Sequence, residues 1–201
     1  MLDSQTSEMK RAAGVWRGRR IIVLGSCCGF GRGMVRALER AGAQVVAADT
    51  NATALREMDA GTPLPLKGEP VAALRRIGRA WGEVRLDAVL NLMPLRHPDK
   101  VDLNIAVLQG IVQGFMPALG ARHGQIVSVA ARPAQPLELG AGAMAPALLS
   151  AQAALAHALR RDGITLNLVN VAPDGVGPAR IAACGLLSGA LGPVTGSELR
   201  L

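Results

Sequence analysis

The chain has 201 residues, half of them hydrophobic, with a formal net charge of +7 and three cysteines. That length suits one domain with a sizeable core, and so few cysteines exclude a disulfide framework and imply a reducing compartment, read here as cytoplasmic. The arginines are scattered, with no basic run interleaved with aromatics, which argues against a nucleic-acid-binding protein.

Residues 1–15 read as a polar tail without the apolar stretch of a signal peptide. A single domain is expected over 16–201. The first strand is predicted at 20–24, a helix at 31–40 stopped by Gly42, and a second strand at 44–49. A helical stretch at 51–59 leads to a short third strand within 61–66, broken by prolines. A helix at 70–81 carries Val71, Leu74, Ile77 and Trp81 on one face. Strand four is expected at 86–91, a long helix at 102–119 and strand five at 125–129. An Ala-rich helix at 143–161, strand six at 164–171 and a last strand at 197–201 complete the order. Residues 139–159 carry no formal charge and are long enough to cross a bilayer. Their Gly, Pro, Ser, Gln and His content argues instead for a buried or interface helix and no membrane span. This alternation implies a doubly wound, Rossmann-like parallel sheet in a three-layer α/β/α sandwich.

The most informative segment joins the first strand to the first helix: Gly25, Ser26, Cys27, Cys28, Gly29, Phe30, Gly31. A strand, a glycine turn and a helix N-terminus together cradle a pyrophosphate. Gly25 allows the tight turn, Gly29 lets the backbone approach phosphate, and Gly31 lets helix and strand pack closely. Asp49 ends the second strand about 20 residues on, where a carboxylate accepts hydrogen bonds from an adenosine ribose and repels a 2′-phosphate. The expected cofactor is therefore NAD rather than NADP. Ser26, Cys28 and Phe30 of the turn, together with Thr50, Asn91 and Val176, complete the expected cofactor-binding set. The vicinal thiols Cys27 and Cys28 read as small turn residues in preference to a redox pair. His97, His123 and His157 share no ligand spacing with the cysteines, and no metal is expected.

The spacing of Gly25, Gly29 and Gly31 resembles the G-x-x-x-G-x-G pattern of the short-chain dehydrogenase/reductase family. The resemblance continues through Arg32 and Gly33, the 41–49 segment, the run Leu86 to Pro94 containing Asn91, Asn104 with Pro117 downstream, the 124–131 strand, Pro173–Gly175 and Pro193–Gly196. It covers about residues 16–201 and implies a Rossmann fold that binds a nicotinamide dinucleotide. The resemblance also implies an Asn-Ser-Tyr-Lys tetrad, in which the Tyr phenol moves the substrate proton and the Lys lowers its pKa.

This chain has no Tyr at all, and Lys only at positions 10, 67 and 100. The alignment places Ala131 at the Ser position, Ala141 at the Tyr position and Ala145 at the Lys position. A shifted register brings Met144 or Ser128 into line, and no register supplies a phenol or an ammonium. Asn104 alone remains of the tetrad. The family's adenine-contacting aspartate is replaced near Leu66 and Lys67, residues 94–104 are trimmed, and 175–195 is too short for the usual substrate-covering helices.

These departures imply a catalytically degenerate member that binds NAD(H) and serves as a regulatory or structural subunit. The alternative is an active NAD-dependent oxidoreductase with another proton donor, such as His97, Asp174 or water. A basic phosphate- or nucleic-acid-binding protein on this scaffold is a third reading. Helices 102–119 and 143–161 are apolar around most of their circumference, and the resemblance places them at a subunit interface. A homodimer is expected there, or a hetero-complex. Gly110, Gly114, Ala147, Ala151 and Ala154 are the small residues that would allow close approach, unless they are buried wholly within one subunit.

Overall fold

The computed structural model describes residues 14–135 and 138–201. The expected polar tail lies almost wholly outside the described residues. Seven strands form one sheet: β1 (Arg20–Leu24), β2 (Gln44–Asp49), β3 (Thr62–Pro65), β4 (Ala88–Asn91), β5 (Gln125–Ala131), β6 (Thr165–Val171) and β7 (Ser197–Arg200). Their order is β3-β2-β1-β4-β5-β6-β7, and every pairing is parallel. The expected doubly wound three-layer fold is what the chain forms.

The central strands are apolar runs because helices cover both of their faces. On one face, α3 (Pro70–Trp81), α5 (Val101–Gly120) and α6 (Leu139–Leu159) bury Ile22, Leu24, Ile126 and Leu168. On the other, α1 (Gly29–Arg40) and α7 (Val176–Ser188) bury Ile21, Val23, Val127 and Val169. Alternate residues of each strand thus feed two separate cores. The short helices α2 (Ala52–Arg56) and α4 (Met93–Arg96) follow β2 and β4.

Helix α3 has the expected bounds, and its start shows why. Pro70 sits in the first turn, where its missing N–H is no loss, and Glu69 accepts from Val71 N at 2.9 Å and Ala72 N at 2.6 Å. Its far end is fixed by Trp81, edge-on to Phe115 of α5 at 5.8 Å.

Two helices escape a reading of the sequence. Helix α4 is a single turn. Helix α7 carries Gly177, Pro178 and Gly185, which are poor helix formers, yet Ala179, Ala183, Leu186 and Leu187 form a continuous buried stripe. Pro178 falls within its first turn and breaks no helical hydrogen bond. The segment thought too short for covering helices is spent on this crossover, which packs against the sheet. Helix α6 begins at Leu139, earlier than expected, and hands over at Leu159 to a 3-10 turn, Arg160–Asp162.

The small residues of α5 are used within the chain, the alternative left open beside a subunit interface. A methyl group on Gly110 would lie 3.1 Å from Val71, and one on Gly114 would lie 2.9 Å from the Leu74 carbonyl oxygen. Gly78 of α3 in turn faces the Gly114 backbone. Gly110 and Gly114 therefore let α5 and α3 cross within one chain.

Candidate functional site

The glycine turn sits at the C-terminal end of β1, between β2 and β4, where open α/β sheets bind ligands. Gly25 has φ of +79°, and a methyl group there would stand 3.1 Å from the Leu92 backbone. Gly31 lies so close to the Ser26 backbone that a methyl group would meet its carbonyl oxygen at 2.6 Å. Gly29 differs: it is exposed and has nothing within 4 Å of where a methyl group would go. Two of the three glycines are held by the protein's own backbone, and the third faces open space at the start of α1. Unpaired N–H groups and the positive end of the helix dipole lie there, so the residues present fit a dinucleotide pyrophosphate.

The side chains of the turn point to structural duties. Ser26 is buried, and its hydroxyl donates weakly to the Ala48 carbonyl oxygen at 3.4 Å. Cys28 caps α1, its sulfur accepting from Gly31 N at 3.3 Å. Phe30 is buried beneath the Arg180 guanidinium, which stands 5.5 Å from its ring and donates to the Gly29 carbonyl oxygen at 3.2 Å. Burial, followed by the charge and hydrogen bond of Asp49, pushes the Cys27 thiol up to about 11. A thiol so poorly ionised is a weak nucleophile, which fits the reading of a turn residue.

Asp49 lies at the end of β2 as expected, but its carboxylate is fully buried. Oδ2 accepts from Cys27 N at 2.9 Å, and Oδ1 accepts from Asn51 N at 3.0 Å. The Arg96 guanidinium, delivered by α4, forms an ion pair with Oδ1. Burial alone would raise this carboxyl, but the two backbone hydrogen bonds and the Arg96 hydrogen bond and charge outweigh it and hold it below its usual range. Nothing in the spacing of the sequence announced Arg96. Its route to Asp49 exists because β4 and β2 flank β1.

Of the other expected cofactor contacts, Thr50 and Val176 are exposed on the rim, Val176 opening α7. Asn91 is fully buried, and both ends of its amide are engaged: Nδ2 donates to Ser128 Oγ at 3.3 Å, and Oδ1 accepts from Met93 N at 3.2 Å. It ties β4 to β5 and starts α4. Asn104, also buried, donates to the carbonyl oxygens of His97 and Lys100, each at 2.8 Å, and fixes the start of α5.

Ala131, Ala141 and Ala145 come together. All three line one cavity of about 340 Å³ between α6 and the ends of β5, β6 and β7. Ala141 and Ala145, four apart on α6, share a helix face. Across the cavity lie Asn170 and Glu198, with Asn170 Nδ2 donating to Glu198 Oε1 at 2.7 Å. Arg200 donates to the other oxygen at 2.8 Å. Burial would raise the Glu198 carboxyl, but the Asn170 and Arg200 hydrogen bonds and the Arg200 and Arg132 charges hold it low. An ionised Glu198 accepts protons poorly and has none to give at neutral pH. Neither His97 nor Asp174 lines this cavity. Among the described residues, no three His, Cys, Asp or Glu side chains converge as a metal centre would require.

Solved structures share this arrangement of strands and helices over nearly their whole length. The Pseudomonas aeruginosa RhlG/NADP active-site complex matches with a TM-score of 0.74 at 19% identity, over 92% of this chain and 95% of that one. The fold is the short-chain dehydrogenase/reductase fold. An oxidoreductase of that family from Burkholderia thailandensis matches with a TM-score of 0.73 at 20% identity, over 91% of this chain and 90% of its own. The NADH-dependent reductase A1-R′, complexed with NAD, matches with a TM-score of 0.71 at 21% identity, over 92% of this chain and 95% of its own. No family model and no curated protein sequence matches the chain.

Proposed function

We propose that this protein binds a nicotinamide adenine dinucleotide at the Gly25–Gly31 turn without the acid/base catalysis of short-chain dehydrogenases, and acts as a regulatory or structural subunit in the cytoplasm. The observation that carries this reading is the contrast between two neighbouring places. The phosphate cradle is complete, with Gly29 open and Gly31 locked against Ser26. The place for the proton donor is a cavity walled by Ala131, Ala141 and Ala145. RhlG and the reductase A1-R′, which share the fold, are complexed with NADP and NAD respectively.

A bound nicotinamide supplies hydride chemistry; the residues of this chain hold the dinucleotide but set no acid beside it. General acid/base assistance contributes about 10²–10⁴-fold to such reactions. An active oxidoreductase with a substituted donor finds less support, because the one carboxyl lining the cavity is held in its ionised form.

Partner binding fits helix α6. In its most apolar stretch only 28% of residues are buried, against 56% for α5. Ala154 is exposed and Ala147 and Ala151 are half-buried, so a second helix can approach closely. A homodimer or a hetero-complex through α6 follows from that surface.

Calorimetric titration with NADH and NADPH, joined to an absorbance assay at 340 nm over carbonyl and alcohol substrates, tests the reading. Saturable binding without substrate-dependent turnover is expected. Turnover would return the protein to the enzymes, and no binding of either nucleotide would leave only the scaffold and its α6 surface.

A further inference from the structure

The sequence-based preference for NAD rested on an open carboxylate at Asp49, and the structure does not present one. The carboxylate is fully buried and already accepts from Cys27 N, Asn51 N and Arg96. A carboxylate offers about four acceptor positions, so little is left for a ribose diol. The charged group that reaches solvent beside Asp49 is the Arg96 guanidinium, its side chain 22% exposed. Among the described residues, the remaining N–H groups of that guanidinium have no acceptor. Arg32 adds a second cation to the same turn, its Nε donating to the Cys27 carbonyl oxygen at 3.2 Å.

Arg96 is held in place by its element. Met93 and Pro94 of α4 are buried, Asn91 Oδ1 accepts from Met93 N at the start of the helix, and Arg96 N donates to the Leu92 carbonyl oxygen at 3.1 Å. Helix α4 follows β4, so the side chain passes over the C-terminal end of β1 to reach the end of β2. That is the path along which an adenosine bound to this fold's glycine turn would run.

We propose that Arg96 sets the charge of the adenosine-ribose end of the cleft and inverts the preference Asp49 alone would impose, so that the protein takes the 2′-phosphorylated dinucleotide, NADP(H), over NAD(H). The inference rests on the dinucleotide reading and names which member of the class is bound. Asp49 then serves as the counter-ion that orients the guanidinium, whose planar fork suits a phosphate's paired oxygens.

The test is titration of wild type and Arg96→Gln with NADPH and NADH, followed by calorimetry. Wild type should bind NADPH about tenfold or more tightly than NADH, the size expected of charge-assisted hydrogen bonds to one phosphate. In Arg96→Gln the ratio should fall below one, with NADH affinity rising as Asp49 is uncovered. A purely structural Arg96 would move both affinities together and leave the ratio alone, which would overturn the proposal, as would a wild type that prefers NADH. Should the glutamine variant not fold, Arg96→Lys keeps a cation on Asp49. It should still prefer NADPH, and a preference for NADH there would also overturn the assignment. Binding of both nucleotides with equal ratios in every variant removes Arg96 and keeps the dinucleotide reading, whereas binding of neither nucleotide removes both.

Discussion

Two buried aspartates, at opposite ends of the central strands, solve the same problem in different ways. Asp87 lies at the N-terminal edge, just before β4. It accepts from Arg20 N at 2.8 Å and takes the Arg85 guanidinium on both oxygens at 2.8 and 2.9 Å, with Arg122 standing 3.8 Å away. Asp49 lies at the C-terminal edge and takes one nitrogen of one guanidinium, besides two backbone amides. The first cluster is redundant: a forked pair backed by a second cation, tying the starts of β1 and β4. The second has a single removable cation, at the edge where this class of sheet meets ligands. Redundancy marks the structural pair, and a lone, part-exposed partner marks the one free to answer to a ligand.

The largest expected effect separates the two by substitution. Asp87→Ala strands a backbone amide and ends the fork, which should destabilise the protein by about 2–3 kcal/mol, counting little for the half-exposed Arg85. In a chain of this size that lowers the melting temperature by about 5–10 °C. Nucleotide affinities should not move. Asp49→Ala should destabilise by a similar or smaller amount, about 1–3 kcal/mol, and should also alter the NADPH-to-NADH ratio by releasing Arg96. Thermal melts and titrations on both variants check the pair, and a changed nucleotide ratio in Asp87→Ala would break the distinction.

A finer version of the contrast lies within the glycine turn. Gly31→Ala drives a methyl group against the Ser26 backbone, which has no side chain to swing aside, and should destabilise by about 1–3 kcal/mol. Gly29→Ala meets nothing within 4 Å and should leave stability unchanged within about 0.5 kcal/mol. It should nevertheless weaken nucleotide binding, because the methyl group occupies the open side of the cradle. Chemical denaturation curves read the first effect and titrations the second. Equal stability losses in the two variants would mean that the turn has no open side.

Much of this was legible in the sequence because it depends on local pattern. The strand pattern predicted all seven strands by place, the helical spacing of Val71, Leu74, Ile77 and Trp81 placed α3, and the Gly25, Gly29 and Gly31 spacing located the turn. Asp49 was found by its distance from that turn. Arg96 was not, since its ion pair joins residues far apart in sequence that meet only because β1 lies between β2 and β4. Helix α7 was missed because its Gly and Pro are poor helix formers and the first half of its buried stripe is only Ala179 and Ala183, ahead of Leu186 and Leu187. The duties of Gly110 and Gly114 were ambiguous for a related reason: a small residue says that something comes close, and not whether it belongs to the same chain.

The smallest effect concerns acid, and it tests whether the two carboxylates are alike in energetics though unlike in role. Both are held below their usual range in the folded state: burial opposes this in each, and it is outweighed by Arg85 with the Arg20 amide at Asp87, and by the backbone amides with Arg96 at Asp49. For a depressed folded pKa the unfolded chain binds the proton first as pH falls. The stabilisation is therefore fully present above the unfolded carboxyl value of about 3.9 and is lost as pH drops through the lower folded value. Asp87→Asn and Asp49→Asn lack the titration. Each should be less stable than wild type at neutral pH, and each deficit should shrink from about pH 4 downward, when urea unfolding is followed at stepped pH. A deficit independent of pH would show that the ionised form of that aspartate is not what the surrounding donors stabilise.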